Sequence, residues 1–203
     1  MKVVYVGIIK NDTPPAIELA CERNLSSYNR FTHGAITQIM TFSGETIAQR
    51  MKPDQRKDVL DEDLPGHMVH CYAHSAGVCG IVITDLEYPK LVAHSLLSKM
   101  VDAFTSKYPR TAYASSTKTS PKLQMPELKE FLNKYQDPQQ ADSIAKIQKE
   151  LDETKITLHE TIQSVLERGE KIDDLVAKSD GLSAQSKMFY TQAKKQNSCC
   201  IVM

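Results

Sequence analysis

This 203-residue sequence has no run of eighteen apolar residues, no CxxC pair and no excess of either charge. The first absence leaves no candidate for a membrane-spanning helix. The second, with an odd number of cysteines at positions 21, 71, 79, 199 and 200, argues against a disulfide framework and for reduced thiols. The third, 25 basic against 25 acidic residues, removes the long-range field that draws a protein to nucleic acid, so no nucleic-acid partner is expected. The N-terminus MKVVYVGIIKND turns polar too soon for a signal peptide and lacks a small-residue cleavage site, so a cytosolic protein is expected. GxGxxG and GxxxxGKS/T are also absent, and no nucleophile stands beside a placed base. Neither a nucleotide site nor an enzyme is expected.

What is present divides near Tyr135. Residues 1–135 carry mixed signals. VVYVGII and AIELACE are strand-like around a turn at Asn11 to Pro15, and GAITQIMTFSGETIAQRM follows with helical spacing. KPDQRKDVLDEDLPG reads as a charged loop. HMVHCYAH and GVCGIVIT are strand-like again, EYPKLVAHSLLSKMVDAFTSKY is an amphipathic helix, and PELKEFLNKY closes the unit. The expected class is α+β, a small antiparallel sheet flanked by helices. HMVHCYAH offers His67, His70, Cys71 and His74 as ligands, but on a strand Cys71 shares a face with His67 and opposes the other two. Ordinary sheet residues and no metal are expected there.

QDPQQADS, within a 136–143 linker, is a polar hinge, and from Ile144 onward there is no proline. Alternating steps of three and four residues connect Ile144, Ile147, Leu151, Thr154, Leu158, Thr161 and Val165 to Arg168. They continue through Ile172, Leu175, Ser179, Leu182, Ser186, Phe189, Ala193 and Gln196. Apart from Arg168, ten of these fifteen positions are apolar, where a composition of 41% hydrophobic residues would put about six. The other five are neutral. Every charge on the strip except Arg168 avoids this seam.

A solvated single helix, or a homodimeric coiled coil that tolerates the arginine, is the plainest reading. A symmetric dimer, however, would bring two guanidinium groups together in a low-dielectric seam, at a cost of several kcal/mol. A guanidinium has five donors and no acceptor, so it suits a core position only where neighbouring helices present carbonyl oxygens. One glutamine from each of three other helices meets that need. Thr154, Thr161, Ser179 and Ser186 bury little, and Gly169 and Gly181 each cost roughly 1 kcal/mol relative to alanine in a helix. The free strip is therefore expected to be unfolded or held by another surface until it assembles.

TLHETIQSVLERGEKIDDLVAKSDGLSAQSKMFYTQAKK resembles an R-SNARE motif, with Arg168 in the ionic central layer and the fifteen other seam residues as layers. Residues 1–135 resemble a longin domain, a profilin-like fold. Together with the terminal Cys-Cys, the chain resembles the Ykt-type lipid-anchored synaptobrevin homologues over its whole length. The resemblance implies a motif at 144–198 that forms a four-helix bundle with three Q-SNARE helices and drives vesicle fusion. It implies cytoplasmic pools exchanging with the cytosolic face of Golgi, endosomal and vacuolar or ER-derived membranes. A longin adaptor that binds SNAREs without fusing membranes is the nearer alternative; it has no need of an arginine in register.

The last residues, 199–203, include CIVM, a C-a-a-X prenylation pattern on Cys200, and the terminal methionine favours farnesyl. One lipid chain binds marginally, so a second signal is needed. The family resemblance places palmitate or a second prenyl group on Cys199. Lys187, Lys194 and Lys195, with no acidic residue after Asp180, would each add about 1 kcal/mol near an anionic leaflet. No cofactor other than covalent lipid is expected.

In the first helix, Ile36, Ile39, Met40, Ile47 and Met51 share one face, and Phe42 falls about 130° from its centre. Either a loop of the domain covers Phe42 or it is a docking residue. Longin domains of this type fold back on their SNARE segment beside this helix, so the resemblance implies a closed form with Phe42 holding the strip.

Overall fold

The computed structural model describes residues 2–61, 66–140, 144–151, 154–159 and 161–199. Strands β1 (Val3–Lys10) and β2 (Ile17–Arg23) form the expected hairpin, and α1 (His33–Ala48) crosses the sheet after them. Strands β3 (Arg56–Asp61), β4 (His67–His74) and β5 (Val78–Asp85) follow, then helices α2 (Lys90–Lys107) and α3 (Glu127–Lys134). The C-terminal strip contributes α4 (Ile144–Leu151), β6 (Ile156–His159), α5 (Ile172–Lys178) and α6 (Ala184–Cys199). The sheet order is β2-β1-β5-β4-β3-β6. Neighbours pair antiparallel except β6, which lies parallel to β3. The class is α+β, and the sheet is mixed because the strip supplies its sixth strand.

Strand alternation sends side chains into two cores. On β5, Cys79, Ile81 and Ile83 pack beneath α1, while Val78 and Val82 pack beneath α2 and α3. All five are fully buried, which accounts for the unbroken apolar run GVCGIVIT. At Gly80 a Cβ would come within 2.9 Å of Val101 Cγ2, so the absent side chain lets α2 sit close on the sheet. Ile36, Ile39, Met40 and Ile47 of α1 are all buried, as their spacing requires. So are Val92, Leu96, Leu97, Met100, Val101 and Phe104 of α2.

The segment read as a charged loop contains β3. Its alternation is inverted in polarity: Val59 enters the core beneath α1, whereas the buried Asp58 points towards α2. Asp58 Oδ1 lies 2.7 Å from His70 Nδ1 and 2.8 Å from His94 Nε2. A buried carboxylate is tolerated when it is paired and hydrogen-bonded in this way. The partners come from β4 and α2, so a local hydrophobic pattern could not reveal the strand.

Candidate functional site

The strip does not run as one helix. It wraps the domain in pieces, and all but the strand piece bury part of its apolar residues. Helix α4 places Ile147 (fully buried) and Leu151 in the core beneath α2. Strand β6 then pairs Arg56 with Ile156, Asp58 with Leu158 and Val59 with His159, supplying backbone partners to the open edge of β3. Leu158, a seam position, is left 57% exposed. The buried Ile162 and Val165 follow in a turn of 3₁₀ helix capped by Thr161, whose hydroxyl accepts from Ser164 N at 3.2 Å.

The chain reverses at Arg168 and Gly169. Gly169 has φ +94°, a left-handed conformation that glycine adopts freely. Gln163 braces the reversal, donating to Glu170 O at 2.8 Å and accepting from Ile172 N at 3.0 Å. Arg50, just beyond α1, clamps the turn through Glu170: Nε donates to Oε2 at 2.8 Å and Nη2 to Oε1 at 2.7 Å. Hydrogen bonds from the Arg50 side chain, then from the Glu167 backbone, lower the Glu170 pKa to about 2. Arg168 itself is exposed.

Helices α5 and α6 lie beyond the turn. Ile172, Val176, Leu182 and Tyr190 join the core formed by α1 and the sheet, with Leu175 and Phe189 half-buried against it. Gln38 of α1 accepts from Ser183 N at 2.8 Å and from Ser186 Oγ at 2.7 Å. Ser186 is a weak layer in the heptad reading but is fully buried here. Phe42 is half-buried against the same core and lines a cleft of about 340 Å³ with Thr41, Glu45, Leu175, Ser179 and Gly181.

Several seam residues stand outside these contacts. Thr154, Ser179 and Ala193 are half-buried, and Thr161 serves as a cap. Cys200 lies outside the described residues, as do the side chains of Ile144, Gln196 and Cys199. Of the lysines assigned to a membrane surface, Lys194 donates to both Asp173 oxygens at 2.6 and 2.7 Å, and Lys187 donates to Ala177 O at 2.7 Å. Among the described residues no helix is long and apolar enough to cross a membrane.

The heptad pattern did not single out Ile162, Val176 and Tyr190, which are buried without being seam residues. Nor did it find Gln38, the Arg50–Glu170 pair or the β3–β6 pairing. The first three carried a signal in their fourteen-residue spacing along one flank; the others join distant parts of the chain.

Among the described residues, His70 is the one member of HMVHCYAH drawn into a cluster of possible ligands. The ligand atoms of Asp58, His70 and His94 lie within 4.8 Å of one another, in the hydrogen-bonded network under α2. Burial raises the Asp58 carboxyl pKa, but hydrogen bonds from His70 and His94 outweigh it and hold the group well below the usual carboxylate range. Burial lowers the His94 imidazole below its ordinary value, against the pull of Asp58.

Two family models match the chain. One, longin, described as a regulated-SNARE-like domain, covers residues 25–132; the other, synaptobrevin, covers residues 143–201. The chain is 48% identical over 203 residues to the synaptobrevin homolog YKT6 of Yarrowia lipolytica and 47% identical over 203 residues to that of Saccharomyces cerevisiae. It is 48% identical over 202 residues to the synaptobrevin homolog of Schizosaccharomyces pombe. Each of these matches spans 100% of both chains.

Proposed function

The chain belongs to the synaptobrevin-homologue family of longin R-SNAREs, non-enzymatic proteins of membrane trafficking, and from that membership we propose a mechanism of exchange between two partners. In one state the strip is folded on its own domain. In the other it forms a continuous helix with three glutamine-bearing Q-SNARE helices in a parallel four-helix bundle, zippering from Ile144 towards Gln196. Zippering draws together the membranes to which the helices are attached. This chain's attachment is a farnesyl group on Cys200, with palmitate or a second prenyl group on Cys199. It is reversible, because each chain alone binds weakly. The membranes are the cytosolic faces of Golgi, endosomal and vacuolar or ER-derived compartments.

The observation that carries this reading is Arg168. It is the one charged seam residue, and it is exposed while its seam neighbours Val165 and Ile172 are buried against the domain. Among the described residues the self-docked arrangement therefore gives the arginine no buried partner, whereas three glutamine carbonyls would satisfy its donors in the bundle. Self-docking acts as a brake: it covers apolar residues that the seam needs, and Phe42 stands at the cleft where α5 lies.

The test is capture of purified Q-SNARE helices by the full chain. The wild-type chain should take up three glutamine-bearing helices slowly and Phe42→Glu should take them up faster. Capture of none, or an unchanged rate in the variant, contradicts the reading.

A further inference from the structure

The strip presents two apolar faces that overlap without coinciding. Its sequence seam alternates steps of three and four through Thr161, Val165, Arg168, Ile172, Leu175, Ser179, Leu182, Ser186 and Phe189. The face that meets the domain is different. Ile162 (3% exposed), Val176 (5%) and Tyr190 (4%) are buried, and each stands one residue after a seam position. The seam residues they follow, Thr161, Leu175 and Phe189, are only half-buried. In α5 the buried pair is Ile172 and Val176, and in α6 it is Ser186 and Tyr190. Both are i, i+4 pairs, which define one side of a helix.

At 100° per residue, the centre of this docked face is turned about 50° from the centre of the seam. Residues such as Val165, Ile172 and Ser186 belong to both faces. Leu175 and Phe189 lie at the edge of the docked face, half-buried against the core, and Arg168 is exposed in the turn between the buried Val165 and Ile172. Tyr190 also donates to Asp173 Oδ1 at 3.1 Å, fastening α6 to α5 in an arrangement that one straight helix cannot keep.

We propose that Ile162, Val176 and Tyr190 are selectivity residues: they favour binding of the strip to its own domain and contribute little to assembly with other helices. This rests on the exchange mechanism above and adds the residues that set its balance. In a bundle packed through the seam, these three side chains occupy a flank about 70° from the seam centre. Truncating them removes contacts with the domain and leaves the layers complete.

The experiment compares two variants of the full chain. Ile162→Ala/Val176→Ala/Tyr190→Ala removes the flank while keeping high helix propensity. Leu175→Ala/Phe189→Ala truncates seam residues that are only half-buried on the domain. Amide exchange across residues 161–190 reads docking, and the dissociation temperature of the complex with three glutamine-bearing helices reads assembly. The flank variant should exchange at least about 100-fold faster than wild type, given the apolar surface it loses, with an unchanged dissociation temperature. The seam variant should lower the dissociation temperature and change exchange less. If both variants affect both readouts alike, or the flank variant exchanges as slowly as wild type, the selectivity claim is overturned while the exchange mechanism stands. A wild-type chain that captures no helix overturns the mechanism and the selectivity claim with it.

Discussion

Arg50 grips Glu170 across 120 residues of sequence with two parallel hydrogen bonds of 2.8 and 2.7 Å. The pair pins the strip to the end of α1 two residues beyond Arg168. The Arg50 side chain is 9% exposed and that of Glu170 31% exposed, so water weakens the contact only in part. Arg50→Gln should weaken docking of residues 161–178 by about 1 kcal/mol, roughly fivefold in amide exchange. The pair also sets a pH dependence. The Glu170 pKa is lowered from 4.5 to about 2. Its contribution is therefore complete above pH 4.5 and is lost as pH falls through about 2. Protection of the turn's amides, the exchange rate taken relative to the unstructured rate at the same pH, should fall across that window in the wild-type chain, and Glu170→Gln should remove that part of the slope.

Gly169 favours the two states differently. Its φ of +94° in the docked turn costs a residue with a Cβ about 1–2 kcal/mol, whereas in a continuous helix alanine is about 1 kcal/mol better than glycine. Nothing lies within 4 Å of a Cβ placed there, so the effect is conformational and not steric. Gly169→Ala should shift the balance towards the helical assembly by about 2 kcal/mol, roughly thirtyfold, read as faster capture of Q-SNARE helices.

The Asp58, His70 and His94 network beneath α2 should make the domain acid-sensitive. Because His94 is held below its ordinary value of 6.5, the unfolded chain binds more protons than the folded one as pH drops below that value. Stability is therefore complete above about pH 6.5 and falls as pH drops further. Asp58→Asn leaves the buried histidines without their shared carboxylate and should cost about 3 kcal/mol, read as a lower urea midpoint at pH 7. His94→Gln should flatten the pH dependence of that midpoint between pH 7 and 5.

Under the lipid-anchor proposal Cys200→Ser should abolish membrane attachment, since farnesyl addition would require that thiol and no described helix is long and apolar enough to cross a membrane. Flotation of the variant with liposomes checks this. A variant still bound to membranes would contradict the lipid-anchor proposal.

The domain was legible wherever one element buries one face. The spacing of Ile36, Ile39, Met40 and Ile47 in α1, and of the apolar residues in α2, gives the same core in sequence and structure. Strand β3 was not legible, because Asp58 is buried by histidines that only the fold brings to it. The heptad strip was legible as a seam, but its docked path was not. That path depends on the β3 edge, on Arg50 and on Gln38, none of which appears in a periodicity taken along the strip alone. Ile162, Val176 and Tyr190 sit between these cases: their regular spacing was present but lay beside a stronger pattern.

The central claim is that one strip exchanges between a path folded over the domain and a straight helix. A distance measurement between spin labels at the exposed Gln148 and Gln192 tests it most directly. Folded over a domain of this size, the two positions stay within about 45 Å of each other. As a continuous helix rising 1.5 Å per residue, they stand about 66 Å apart. Adding three glutamine-bearing helices to the full chain should move the distance distribution from the shorter to the longer value. A complex that forms while the distance remains short would contradict the account.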